Sequence, residues 1–160
     1  MKQLKNRVAV ITGSGSGMGR ALSLGLAKEG CSLALIDFDK NGLDETYKLL
    51  AGNSMKITTH IADVTDRKRM GALPEEIIKE HGHVNLLINN AGVGLYKTIA
   101  DVPIEDIEWV MNINFWGVVY GCKFFLPYLQ KEDEAHIINV SSLLGFISIP
   151  KLGPCPYRLG

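Results

Sequence analysis

Val8–Arg20, reading V-A-V-I-T-G-S-G-S-G-M-G-R, is the stretch that decides the fold. Val8, Val10 and Ile11 form a short apolar run rich in β-branched residues, the pattern of a strand covered on both faces. Thr12 and Gly13 break that run, four glycines fall within seven residues, and Met18 to Glu29 reads as a helix. A strand feeding a glycine-rich turn that opens a helix is suited to gripping a phosphate. The unpaired N–H groups and the positive dipole end face the ligand, and glycine lets the backbone approach closely. The order strand, turn, helix sets this apart from a merely flexible glycine loop.

The spacing narrows the reading. No register puts glycine at all three positions of Gly-x-Gly-x-x-Gly, whereas Thr12-Gly13-x-x-x-Gly17-x-Gly19 fits a related pattern. A Walker-type phosphate loop is excluded, because no Lys-Ser/Thr pair follows the glycines.

Composition bounds the rest. The chain's 160 residues suffice for one domain, residues 1–160, with a real core. Acidic and basic residues balance at 17 each, so no long-range field favours nucleic acid or an anionic membrane. Cys31, Cys122 and Cys155 are widely spaced and lack a His or Cys ligand pattern, which implies no metal site and fits reduced thiols in a cytoplasmic protein. Met1–Arg7 is polar and unlike a signal peptide. Met111–Leu129 is nearly all apolar and carries Gly117-x-x-x-Gly121, a spacing found in membrane helix pairs. Asn112, Asn114, Lys123 and Pro127 within it favour a helix buried in a protein core instead.

Strand and helix alternate along the chain. The first helix shows Met18, Leu22, Gly25 and Leu26 at helical spacing. Leu33–Ile36 is a second strand, and Asn41 is placed to cap a helix with Leu43, Tyr47 and Leu50 on one stripe. Met55–Ala62 is a third strand. Asp66 caps the next helix, which Gly71 and Pro74 should kink or divide. Val84–Ile88 is a fourth strand, Pro103 opens a long helix to about Leu129, and Ile137–Val140 is a fifth strand. Helical crossovers between five strands imply an α/β fold with a doubly wound parallel sheet (Rossmann-type), in order 3-2-1-4-5. Ligands then bind beyond the carboxyl ends of the strands. The glycine turn, Asp37, Asp63, Asn89-Asn90-Ala91-Gly92 and Ser141-Ser142 all fall at such ends.

These motifs resemble those of the short-chain dehydrogenase/reductase family, in family order, up to about residue 150. The family's Thr-Gly-x-x-x-Gly-x-Gly is matched at Thr12–Gly19, its Asn-Asn-Ala-Gly at Asn89–Gly92 and its Asp-Val at Asp63-Val64. The long-helix asparagine corresponds to Asn114 and the strand-end serine to Ser142. The resemblance implies a nicotinamide dinucleotide cofactor and a small-molecule alcohol or ketone substrate, with no role for nucleic acid or membrane. Gly13, Gly17 and Gly19 would admit the pyrophosphate, with N–H groups near Ser16 to Met18 as donors. Asp37, about 18 residues past the last glycine, suits a carboxylate that accepts from the adenosine ribose hydroxyls. It would repel a 2′-phosphate, and neither Ser16 nor Phe38 supplies a compensating charge, so NAD is expected over NADP. Asp63 and Val64 would lie around the adenine, and Asn90, Ala91 and Gly92 along the ribose and the central sheet.

The catalytic pattern matches only in part. In the family a serine orients the substrate oxygen, a tyrosine exchanges its proton, and a lysine four residues on lowers the tyrosine's pKa. Ser142 and Asn114 match, but the position 13 residues after the serine holds Cys155, and four further on stands Leu159. Tyr157 is two residues late and is followed directly by Arg158. The expectation is a chain shortened at its C-terminal side, with the fifth strand left as a sheet edge and the family's homo-oligomer interface incomplete. Three readings follow: an NAD(P)-dependent oxidoreductase of this family, impaired in this chain; a catalytically inactive NAD-binding module; or a nonfunctional fragment.

Overall fold

The computed structural model describes residues 3–142. Its elements are β1 Val8–Thr12, α1 Gly17–Lys28, β2 Ser32–Asp37, α2 Lys40–Leu49, β3 Ile57–Ile61, α3 Arg67–His81 and β4 Leu86–Asn89. They are followed by α4 Ile104–Met111, a π-helical turn Asn112–Trp116, α5 Gly117–Leu129 and β5 His136–Asn139. The strands form one parallel sheet in the order β3-β2-β1-β4-β5, the doubly wound Rossmann-type arrangement read from the sequence.

β1 lies at the centre because both of its faces are apolar, and all five of its residues are buried. Successive side chains point to opposite faces. Val8 and Val10 pack with Met70, Leu73 and Ile77 of α3 and Phe125 and Leu129 of α5. Ala9 and Ile11 pack with Leu26 and Ala27 of α1, Leu43 of α2, and Leu50. Each large side chain removed from water contributes roughly 1.5–3 kcal/mol, so this two-sided burial holds the domain together. Because every strand runs the same way, all carboxyl ends share one edge, and that edge carries the polar motifs.

Local details differ from expectation where tertiary contacts decide. Asp39 rather than Asn41 caps α2, its Oδ1 accepting the Asn41 N–H at 3.0 Å. The buried face of α1 runs through Gly19, Ser23, Leu26 and Ala27, while Met18 is 56 % exposed. On α2 the buried position is Thr46, not Tyr47, because Thr46 hydrogen-bonds to the glycine turn. Asp66 caps α3 as expected, accepting from the Arg69 N–H at 2.9 Å, yet α3 continues undivided through Gly71 and Pro74. The proline removes one intrahelical bond, while Met70, Leu73 and Ile77 around it are fully buried.

The long apolar helix departs furthest. Pro103 is its cap rather than its first residue, and the π-helical turn divides it into α4 and α5. Only one side of α5 lies on the sheet and α3, so its buried residues are Gly117, Gly121, Phe125 and Leu129, whereas Phe115 and Trp116 are about half-exposed. The Gly117-x-x-x-Gly121 spacing serves packing within the chain. A Cβ at 117 would stand 2.8 Å from Val64 Cγ2, and one at 121 would stand 2.1 Å from Asn89 Oδ1. Among the described residues no helix is long and apolar enough to cross a membrane, and β5 pairs with β4 alone, leaving Ile138 half-exposed.

At the opposite side of the sheet, the Thr58 hydroxyl lies 2.8 Å from His60 Nε2 and 2.9 Å from His81 Nε2. One hydroxyl can donate to only one of the two rings, so at least one ring presents an Nε2–H to it. Burial pushes the His81 pKa down to about 4, assisted by Lys56, His60 and His83 and opposed by Glu80. Burial also lowers His60, assisted by Arg69 and opposed by Glu80 and Glu76. Both folded-state values lie below the unfolded value of 6.5, so the stability they confer is present above pH 6.5 and is lost as pH falls toward about 4. Urea denaturation should show roughly 1–2 kcal/mol less stability at pH 4.5 than at 7.5, a figure discounted for the partial exposure of His81. His81→Gln should flatten much of that dependence; an equally steep profile in the variant would exclude His81 as its source.

Candidate functional site

The site begins where β1 meets β4. Thr12 closes β1, and its Oγ1 accepts the N–H groups of Asn90 and Ala91, each at 3.0 Å. Asn90 Nδ2 donates in return to the carbonyls of Thr12 at 3.0 Å and Gly13 at 3.3 Å. These bonds lock the two strand ends together at the switch point between the halves of the sheet. Gly13 takes φ +68°, and a Cβ there would lie 2.9 Å from Ala91 Cα. It would therefore meet protein before it met any ligand, a different reason for glycine from the one the sequence suggested. A Cβ at residue 19 would stand 1.9 Å from the Gly13 carbonyl oxygen, so α1 can start this close to the turn only with glycine there. Gly17 differs from both: it has φ +49°, and no atom lies within 4 Å of where its Cβ would be. Space stays open above the first turn of α1, whose leading N–H groups have no intrahelical acceptor.

Asp37 ends β2 and is 9 % exposed. Its Oδ2 accepts the Gly15 N–H at 2.8 Å and its Oδ1 the Asp39 N–H at 3.0 Å. Asp63, beyond β3, shapes its own turn, with Oδ1 accepting the N–H and hydroxyl of Thr65, each at 2.8 Å. Val64 is buried against Gly117. After β4 the chain runs through Ala91 and Gly92 to Val93, where the π-helical turn meets it. Asn114 Oδ1 accepts the Val93 N–H at 2.8 Å, and Asn114 Nδ2 donates to the Val93 carbonyl at 2.7 Å. The Asn114 amide thus pairs with main chain on both its atoms and holds the loop after β4 in place.

These segments surround a cavity of about 500 Å³. Gly13, Ser16, Gly17, Met18, Gly19, Asp37, Asp63, Val64, Asn90, Ala91 and Gly92 all line it. Thr12 stands behind the wall as its brace. Ser142 lies past the end of β5, is exposed, and is not part of that lining. Tyr157 and Cys155 lie outside the described residues. Sequence reasoning did not place Gly15, Phe38, Asp39, Ala62, Val93, Trp109 and Ile113 in the site, and they also line the cavity. Gly15 could have been found as the one glycine of the turn left without a role, and Phe38 by its place beside Asp37. Trp109 and Ile113 had no such signal, because they reach the cavity only through the packing of α4 and the π-helical turn.

A glycine turn at the β1–β4 switch point of a doubly wound sheet, opening on a cavity at the carboxyl edge, defines a Rossmann-type ligand-binding domain. The chain belongs to the short chain dehydrogenase family, whose pattern matches residues 7–155. It is 38 % identical over 150 residues to the Mycobacterium tuberculosis protein SadH, covering 94 % of this chain and 54 % of that one. It is 32 % identical to the 3-oxoacyl-(acyl-carrier-protein) reductase FabG of Thermotoga maritima, covering 92 % of this chain and 60 % of that one. Among solved structures, a short chain dehydrogenase/reductase from Burkholderia phymatum in complex with NAD superposes with a TM-score of 0.92 at 35 % identity, covering 98 % of this chain and 56 % of that one. The chain spans about half the length of the curated relatives it matches.

Thr12→Val keeps the shape of residue 12 and removes the acceptor shared by two N–H groups. Denaturation should show a loss of about 1–3 kcal/mol. A loss under about 0.5 kcal/mol, the level of an ordinary surface change, would mean that Thr12 does not brace the strand ends.

Proposed function

We propose that the chain forms the dinucleotide-binding part of an NAD-dependent oxidoreductase that interconverts a hydroxyl and a carbonyl on a small molecule. The observation that carries this reading is Asp37, a nearly buried carboxylate lining the same cavity as the open start of α1. The cavity fits such a group on three counts. Gly17 leaves room for a diphosphate where a Cβ would otherwise project. The N–H groups at the head of α1 offer donors with a favourable dipole. Asp37 keeps lone pairs beyond the two that take backbone N–H groups, enough to accept from ribose hydroxyls. A 2′-phosphate would meet that carboxylate as a like charge, which favours NAD over NADP.

In this reading Gly17, Met18 and Gly19 hold the diphosphate, Asp37 the adenosine ribose, and Asp63 and Val64 the adenine side. Asn90, Ala91 and Gly92 border the second ribose. The nicotinamide supplies hydride acceptance or donation. Asn114 acts through Val93, fixing the loop that closes the cavity, and Ser142 orients the substrate oxygen. The NAD complexes of the Burkholderia phymatum enzyme and of a xylitol dehydrogenase, the latter at a TM-score of 0.91 and 25 % identity, support the cofactor class.

A second reading, a binding module without turnover, is favoured by Cys155 and Leu159 at the positions of the family's proton-transferring Tyr and its Lys. Assaying this chain with NAD across a panel of alcohols tests the second reading; binding without turnover is the outcome expected, and turnover would exclude that reading. Asp37→Ala should weaken NADH roughly tenfold while leaving NADPH unchanged or tighter, as the loss of a charge-assisted pair of hydrogen bonds requires. Fluorescence titration measures both constants, and an unchanged preference would remove Asp37 from the ribose site.

A further inference from the structure

The Gly15 peptide is held from both sides. Its N–H donates to Asp37 Oδ2 at 2.8 Å, and its carbonyl accepts from the Arg20 guanidinium. The same guanidinium donates to Thr46 Oγ1 at 2.9 Å and pairs with Glu45 Oε2 at 2.9 Å. Thr46 Oγ1 in turn lies 2.9 Å from the Ser14 carbonyl. Arg20 therefore ties the glycine turn to α2, and it is not among the residues that line the cavity.

Gly15 is not glycine for conformational reasons, since it is absent from the glycines with positive φ. Space is what requires it. A Cβ at residue 15 would stand 2.9 Å from Asp37 Oδ2, 3.0 Å from Asp37 Cγ and 3.3 Å from the Gly42 carbonyl carbon. A side chain of any kind would thus push against the carboxylate itself. With Gly15 on one oxygen and Asp39 on the other, two backbone N–H groups fix the plane of an anion that is nearly out of water.

We propose that Gly15 and Arg20 are positioning residues for ribose selection: the Arg20-anchored Gly15 amide, bare of a Cβ, holds the Asp37 carboxylate where a ribose 2′-oxygen arrives. This rests on the dinucleotide reading above and adds that selectivity depends on the turn as well as on the carboxylate. Loss of either feature lets the carboxylate retreat. The hydroxyl then loses its acceptor and a phosphate loses its like-charge neighbour, so the two effects move the NADH-to-NADPH preference in the same direction.

The test is a titration of the full chain with NADH and NADPH, comparing wild type, Gly15→Ala, Arg20→Met, Asp37→Ala, and Gly15→Ala combined with Asp37→Ala. Gly15→Ala should cut the preference for NADH roughly tenfold and Arg20→Met roughly threefold, the scale of a weakened charge-assisted hydrogen bond. In the Asp37→Ala background Gly15→Ala should cut it no further, because no carboxylate remains to displace. A merely structural glycine would weaken both dinucleotides by one common factor, and that result, or an equal cut without Asp37, overturns the inference. Should Gly15→Ala fail to fold by circular dichroism, Arg20→Met decides: a shifted preference supports the inference and an unchanged one overturns it. A wild type that binds neither dinucleotide removes the dinucleotide reading and this inference together. A preference abolished by Asp37→Ala but untouched by Gly15→Ala and Arg20→Met removes this inference alone.

Discussion

The Gly13 carbonyl oxygen lies only 1.9 Å from the point where a Cβ of residue 19 would sit. That contact lets α1 begin almost on top of the strand that precedes it, so that its first N–H groups face the carboxyl edge of the sheet rather than solvent to one side. The rest of the site is arranged around the same turn. Thr12 at the end of β1 and Asn90 just past β4 brace it on one side, and Thr46 of α2 and Arg20 of α1 brace it on the other. Asp37 accepts one of its N–H groups. Three of the turn's glycines are thereby fixed by close contacts within the protein, and only Gly17 leaves room for a ligand.

The fold was legible because its signal is periodic and local. β1 alternates between two buried faces, and Asp66 caps α3 where the pattern put it. Legibility failed where distant contacts override periodicity. Tyr47 fits the apolar stripe of α2, yet the buried residue is Thr46, since its hydroxyl has a carbonyl to satisfy in the glycine turn. Gly117 and Gly121 share the spacing of a membrane helix pair, yet the surfaces they approach are Val64 and Asn89 of the same chain. A short sequence motif gives the closeness of an approach and not its partner.

The cavity was legible residue by residue along β1, β2, β3 and β4, since each polar group follows directly on a strand end. It was not legible along α4 and the π-helical turn, where Trp109 and Ile113 enter it. The two asparagines in Met111–Trp116 were the only hint of irregular helix. Their physical reason emerges at Val93, whose N–H and carbonyl both bond to the Asn114 amide. A wider helical turn at a site of this kind is a recurrent device for turning one side chain toward a neighbouring loop. Here it makes the loop after β4 depend on a residue more than twenty positions away in sequence.

The central claim is that the N–H groups at the head of α1 grip a dinucleotide's diphosphate. Amide NMR spectra of the chain, recorded while NADH is added, test it most directly. The amide resonances of Gly17, Met18 and Gly19 should move most, together with that of Gly15 through its bond to Asp37. Saturable shifts confined to residues elsewhere, with those amides unmoved, would contradict it.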